Sequence, residues 1–174
     1  MALFRCGRID VDDWVFPADD TQIPTAGRVA VPKARFLAER HALLQRPDAL
    51  GLILVAGDGL DDIAPDLPRL GLIAIRFPRY TDGRPYSLAR LLRDRHRFKG
   101  ELRATGNVLR DQVTFMLRAG FDALDVTHEG TLFALREGRI VTVSDHYQPA
   151  SREDSERHPG GRAWLRRSAG RSLA

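Results

Sequence analysis

Two short, almost wholly apolar runs, residues 50–56 and 72–77, stand out from the polar background of the chain. The first ends in Gly57-Asp58-Gly59 and the second in Pro78. Runs of this length without polar alternation suit strands of a parallel sheet whose two faces are both covered. Residues 61–70, between them, have room for a short helix, which Pro65 and Pro68 make irregular. Upstream, residues 28–31 read as a short strand, and Pro32 sits where its fixed φ suits a first helical turn. A helix follows over residues 34–45, with Phe36, Leu37, Ala38, Leu43 and Leu44 as an imperfect apolar face, and Pro47-Asp48 ends it. Residues 1–26, with Asp12-Asp13, Pro17, Asp19-Asp20 and Pro24, read as loop with one short strand, and Trp14 is the candidate anchor to the core.

Downstream the alternation continues. Ser87 is the candidate cap of a helix that puts Leu88, Leu91 and Leu92 on the core side and ends near Arg97. Residues 101–105 predict the next strand, and Asn107 is a candidate N-cap for a helix carrying Leu109, Val113, Met116 and Leu117. Gly120 supplies that helix's stop, and residues 123–126 form a further strand. Residues 129–143 admit two readings, a hairpin over 132–143 or a helix over 129–137 followed by a strand. Beyond Pro149 only Trp164 and Leu165 interrupt a Ser-, Arg-, Gly- and Glu-rich composition, which predicts a disordered basic tail over residues 150–174. The expected architecture is a single α/β domain over residues 1–149, with a mainly parallel sheet and alternating helices. An open doubly wound sheet and a partial barrel both satisfy that pattern, whereas a complete eight-fold barrel needs roughly 200 residues or more.

Composition narrows this further. At 174 residues and 43% hydrophobic, the chain can bury one core without metal or disulfide support. The lone Cys6 excludes an intrachain disulfide and, with no His or second Cys beside it, reads as a bland free thiol. No apolar run approaches the length that spans a bilayer, and residues 1–13 lack the apolar stretch of a signal peptide, so no membrane role and a cytoplasmic location are expected.

Charge is distributed unevenly. Residues 76–110 hold 10 basic and 3 acidic groups, whereas residues 1–75 hold 8 and 11. Lys33 and Lys99 are the only lysines, and every other basic residue is Arg, whose planar fork binds oxyanions through two bonds. A GC-rich coding bias would favour Arg over Lys, but it does not explain the concentration in one segment.

Ligands of open parallel sheets bind beyond the carboxyl ends of the strands. That rule gathers the loops Gly57-Asp58-Gly59, residues 79–84, Gly106-Asn107 and Thr127-His128-Glu129 on one edge. Arg76 and Arg103 fall within predicted strands and there require an anion or an internal partner. Arg84 and Arg110 lie at helix starts, where free N–H groups also favour anions. The candidate anion site therefore comprises Arg84, Arg103, Arg110, Asn107, Gln112 and Tyr80, with a small oxyanion as its ligand. Asp82 and Asp111 are the candidate acid/base pair, and Asp58 is a third carboxylate near the same edge. The competing reading pairs these arginines with Asp82, Glu101 and Asp111 as ordinary ion pairs. Gly57-Asp58-Gly59 lacks a full dinucleotide fingerprint, and His128-Glu129 and Asp145-His146 read as surface residues, so neither a cofactor nor a metal is expected. The basic segment contains no recognised nucleic-acid module.

The stretch Phe77-Pro78-Arg79-Tyr80-Thr81-Asp82-Gly83-Arg84-Pro85-Tyr86-Ser87-Leu88-Ala89-Arg90-Leu91-Leu92-Arg93 resembles the signature of an uncharacterised bacterial family, domain of unknown function 934. So do Gly100-Glu101-Leu102-Arg103-Ala104-Thr105-Gly106-Asn107-Val108-Leu109-Arg110-Asp111-Gln112, Gly120-Phe121-Asp122 and the closing Tyr147-Gln148-Pro149. Members are described as oxidoreductases involved in sulfite reduction. The resemblance thus implies an accessory or oxidoreductase component of assimilatory sulfite reduction, with the sulfite reductase haemoprotein as partner. No flavin, haem or iron–sulfur motif is visible, so redox chemistry would borrow a partner's cofactor. The alternative is an independent enzyme acting on a small anionic substrate by acid/base chemistry.

Overall fold

Strands form at β1 (Ala2–Arg5), β2 (Arg8–Asp10), β3 (Trp14–Val15), β4 (Arg28–Pro32), β5 (Leu50–Val55), β6 (Leu70–Phe77), β7 (Glu101–Gly106) and β8 (Ala123–Val126). They belong to a computed structural model that describes residues 2–19, 21–140, 145–146, 150, 156–157 and 166–168. All eight lie in one sheet, in the order β2-β1-β8-β7-β6-β5-β4-β3. Every neighbouring pair from β3 to β8 is parallel. The β1–β2 hairpin joins β8 antiparallel, so the sheet is mixed. Its two-residue turn places Cys6 and Gly7 at φ 52° and 81°, the conformation that matches the twist of paired strands.

From β3 to β8 the spatial order repeats the sequence order, so right-handed crossovers bring every connecting helix to the same face. These helices are α1 (Lys33–Leu44), α2 (Arg84–Arg90), α3 (Val113–Arg118) and α4 (Glu129–Arg136), with a 3-10 turn at Ala64–Arg69. Phe36, Leu43, Leu67, Leu88, Leu92, Val113, Met116 and Leu135 from them share one core with the alternate strand residues Val31, Leu52, Leu54, Ile73, Ile75, Leu102 and Leu124. A doubly wound sheet would carry helices on both faces. The observed alternative is the partial barrel.

Chain connectivity dictates how far the sheet curls. A flat sheet would hold β2 and β3, its two edge strands, about 34 Å apart at the usual strand spacing. Only residues 11–13 join them, and the step from Asp10 to Trp14 reaches at most about 14 Å. The edges must therefore turn toward each other, which makes the sheet a curled half-barrel with its helices outside.

Among the described residues no helix covers the inner face, and residues 12–16 pack against it. Trp14, Ala30 and Leu72 form a second cluster there, joined by Phe16, Ala49 and Ile53. The Trp14 ring lies against two glycines. A Cβ on Gly51 would stand 3.1 Å from the ring and 2.9 Å from the Leu72 Cβ, and one on Gly71 would stand 3.2 Å from the ring. This strap anchors at Trp14, as the sequence suggests, but it belongs to a barrel-like interior and not to the helix-covered core.

Several local boundaries differ from expectation. Helix α2 begins at Arg84, with Pro85 in its first turn, so Ser87 caps nothing. Pro85 explains the shift, since its fixed φ suits a first turn. The helix then widens into a π turn over Leu91–Arg95. Asn107 is not an N-cap: its backbone N–H donates to the Phe77 carbonyl at 2.9 Å, and helical geometry starts at Arg110. Of the two readings for residues 129–143, the helix is present as α4. Residues 141–144, where the following strand was expected, lie outside the described residues, as does Tyr147-Gln148-Pro149. The expected tail also falls largely outside them. Within and just before it, β9 (Asp145–His146), β10 (Glu156–Arg157) and β11 (Arg166–Ser168) pair as a small antiparallel sheet. Among the described residues no helix is long and apolar enough to cross a membrane.

Candidate functional site

Parallel β5 to β8 send their C-terminal loops to one end of the curl, which assembles the edge anticipated from sequence. Gly106 makes the tightest approach there. Its φ is +86°, and a Cβ would stand 2.5 Å from the Phe77 carbonyl oxygen. Only glycine fits that conformation at that distance. Gln112 ties two loops by donating to the Tyr80 carbonyl at 2.6 Å, and Arg84 lies beside Gly57.

The three arginines expected to converge here do not. Arg84 is exposed, and its Nε and Nη2 donate to the Asp82 carboxylate at 3.0 and 2.7 Å. Asp82 also accepts the Arg84 backbone N–H at 3.0 Å and so closes the first turn of α2. The adjacent guanidinium holds the Asp82 carboxyl below its ordinary value, which makes Asp82 a poor proton donor. Arg110 donates to the Arg139 carbonyl at 2.9 Å and fastens the end of α4. Asp111 is exposed and faces Tyr86, whose hydroxyl is pushed up to about 12, first by burial and then by this neighbouring charge.

Arg103 is the main correction. Strand alternation points Leu102 and Ala104 at the helices, so Arg103 points into the curl. It is fully buried there, with Nη1 2.7 Å from Asp12 and Nε 2.8 Å from Glu101, and the Phe16 ring 5.5 Å from its guanidinium. Arg5 extends the network to Asp10 and Glu101 at 2.7 and 2.9 Å. A charge in this position has to be paired, and the strap supplies the pairing. Arg93 has a comparable structural role, donating to the carbonyls of Phe98, Gly100 and Gly120 and pairing with Asp122. Much of the basic segment therefore holds the fold together.

Among the described residues, burial on the inner face falls off above Arg103. One row higher, register aligns Val55, Arg76 and Thr105, and Asp125 lies one residue past the last β7–β8 pair. Ile75 and Phe77 face the helices, so Arg76 faces the curl. It is exposed, and among the described residues it has no ion-pair or hydrogen-bond partner. Asp125 is half-buried and equally without a partner. Burial pushes its carboxyl above the ordinary value; Arg103 opposes that shift and Asp12 adds to it. Barrel-type α/β folds place their chemistry at this C-terminal mouth, on inward-facing residues. The sequence flagged Arg76 as an Arg needing a partner, but nothing in it marked Asp125, which follows two apolar positions, Ala123 and Leu124, on a short strand.

His128 is used as a cap: its Nδ1 accepts the Thr131 backbone N–H at 3.1 Å at the start of α4. No curated protein and no solved structure matches the chain. A family model described as bacterial protein of unknown function (DUF934) matches residues 51–157, and the chain belongs to that family.

Proposed function

We propose that this protein binds a small oxyanion of the sulfite class at the mouth of the half-barrel and serves assimilatory sulfite reduction as an accessory component. It would act in the cytoplasm beside the sulfite reductase haemoprotein. The observation that carries the reading is Arg76, an exposed guanidinium at the C-terminal end of β6 that has no partner among the described residues. It stands next to the Thr105 hydroxyl in register, within a segment whose other basic groups raise the local potential. Arg84 is already paired with Asp82 through Nε and Nη2, which leaves Arg76 as the better clamp.

A deletion strain tests the biological half of this proposal. Growth that fails on sulfate and recovers on sulfide supports it, and normal growth on sulfate refutes it. One observation favours the second reading, an independent enzyme on a small anion. Asp125 combines partial burial with a raised proton affinity, as a general base requires. Turnover of an anion by the purified chain alone would decide for that reading.

A further inference from the structure

The charges at the mouth also set which oxyanion fits, a deduction that rests on the Arg76 reading above. Arg76 and Asp125 flank Thr105 in the same row, two strands apart, which places their backbones about 10 Å from each other. No ion pair joins them, although each lacks any other partner among the described residues. The other charges that act on Asp125 are Arg103 and Asp12, which are bound to one another beneath it, and the N-terminal amine. Glu101 is held by Arg5 and Arg103 at the deeper end of the same strand. The row thus offers a cation at one side, a hydroxyl in the middle and an acceptor-only carboxylate at the other. A ligand that satisfies all three must be negative on one side and donate a hydrogen bond on the other.

We infer that the mouth selects small oxyanions that still carry a proton, such as hydrogensulfite or hydrogenphosphate, and rejects fully ionised sulfate. Arg76 takes the unprotonated oxygens through its fork, and the Thr105 hydroxyl bridges. Asp125 accepts the hydrogen bond from the protonated oxygen. An ionised carboxylate has no proton to offer, so it bonds only to a donor. The O–H···O⁻ bond it makes to a protonated oxyanion is of the strong, charge-assisted kind. Sulfate at neutral pH brings no proton, and the same carboxylate repels it. Partial burial of Asp125 makes it a better acceptor and leaves the repulsion less screened.

The test is calorimetric titration of the full chain with sulfite, phosphate and sulfate, repeated on Asp125→Asn and Arg76→Ala. The wild type should prefer sulfite and phosphate over sulfate by about tenfold or more, a gap of one charge-assisted bond. Asp125→Asn, whose amide can donate, should admit sulfate and erase most of that gap. A pH series on the wild type needs no variant. Sulfite binding should strengthen from mildly alkaline to mildly acidic pH as the anion takes up its proton, while sulfate stays weak. Equal wild-type affinity for all three anions, or an unchanged preference in a folded Asp125→Asn, overturns the selectivity and leaves the anion site standing. Failure of the wild type to bind any of the three overturns the anion site itself, and the selectivity with it.

Discussion

Replacing Arg103 with Leu removes the buried cation beneath the inner strap. The guanidinium is fully buried, with Asp12 at 2.7 Å and Glu101 at 2.8 Å. Deleting one member of such a group leaves carboxylates without their counter-charge and costs about 3–5 kcal/mol. Two features place the result near the lower end of that range. Asp12 is 24% exposed and can turn toward water, and Glu101 keeps Arg5 at 2.9 Å. At roughly 2–4 °C per kcal/mol for a chain of this size, a loss near 3 kcal/mol lowers the melting temperature by roughly 6–12 °C. Arg103→Lys keeps the charge but not the two-sided fork and should fall between the wild type and Leu. Thermal melts of both variants, completed by a double-mutant cycle with Asp12→Asn, provide the assay. A drop under about 1 kcal/mol for Arg103→Leu, or no coupling to Asp12, would refute the strap as a load on this residue.

Gly51→Ala should destabilise by about 1–3 kcal/mol, because its Cβ would enter within 2.9 Å of Leu72 and 3.1 Å of the Trp14 ring. Chemical denaturation measures it, and a neutral result would mean that the ring is not seated there. Asp125→Asn should raise stability at neutral pH. The folded carboxyl titrates above the unfolded value of 3.8, so ionising it opposes folding once the pH exceeds the folded value, and Asn removes that opposition. The advantage should shrink as the pH falls through the folded value and vanish below the unfolded one. Melting curves across that range check the sign, and an Asn variant less stable than wild type at neutral pH would contradict it.

The parallel core was legible because its strands are the apolar runs at residues 50–56 and 72–77, and their parallel direction follows from the helical segments between strands. Curvature was not legible, since it depends on residues 11–13 having to bridge two edge strands that sequence alone does not identify as edges. The N-terminal hairpin was hidden for a related reason: β1 and β2 are short, and Arg5, Arg8 and Asp10 give them a polar look that the pairing of Arg5 with Asp10 and Glu101 accounts for in part. Strand ends could be named from the loops that follow them, which brought Asp82, Arg84, Tyr80 and Gln112 to the C-terminal edge of the sheet. Arg103 was assigned to that edge because a strand Arg suggests either a ligand or an internal pair; Glu101, the internal partner the sequence offered, is found, but Asp12 lies 91 positions away in the chain. Asp125 escaped notice because a single carboxylate in a short strand resembles an exposed edge position until the barrel interior is known.

In the function proposed above Arg76, and not Arg84, holds the anion, and titration of sulfite against both alanine variants separates the two. Charge-assisted bonds of this kind each contribute about 1.5–3 kcal/mol. Arg76→Ala should therefore weaken sulfite binding by roughly 10- to 150-fold, at about 1.4 kcal/mol per tenfold. Arg84→Ala, which removes a guanidinium already committed to Asp82, should leave affinity within about twofold of wild type, since an exposed pair is worth little. Wild-type affinity in Arg76→Ala, or a loss confined to Arg84→Ala, would contradict the account and return the site to the loops outside the barrel mouth.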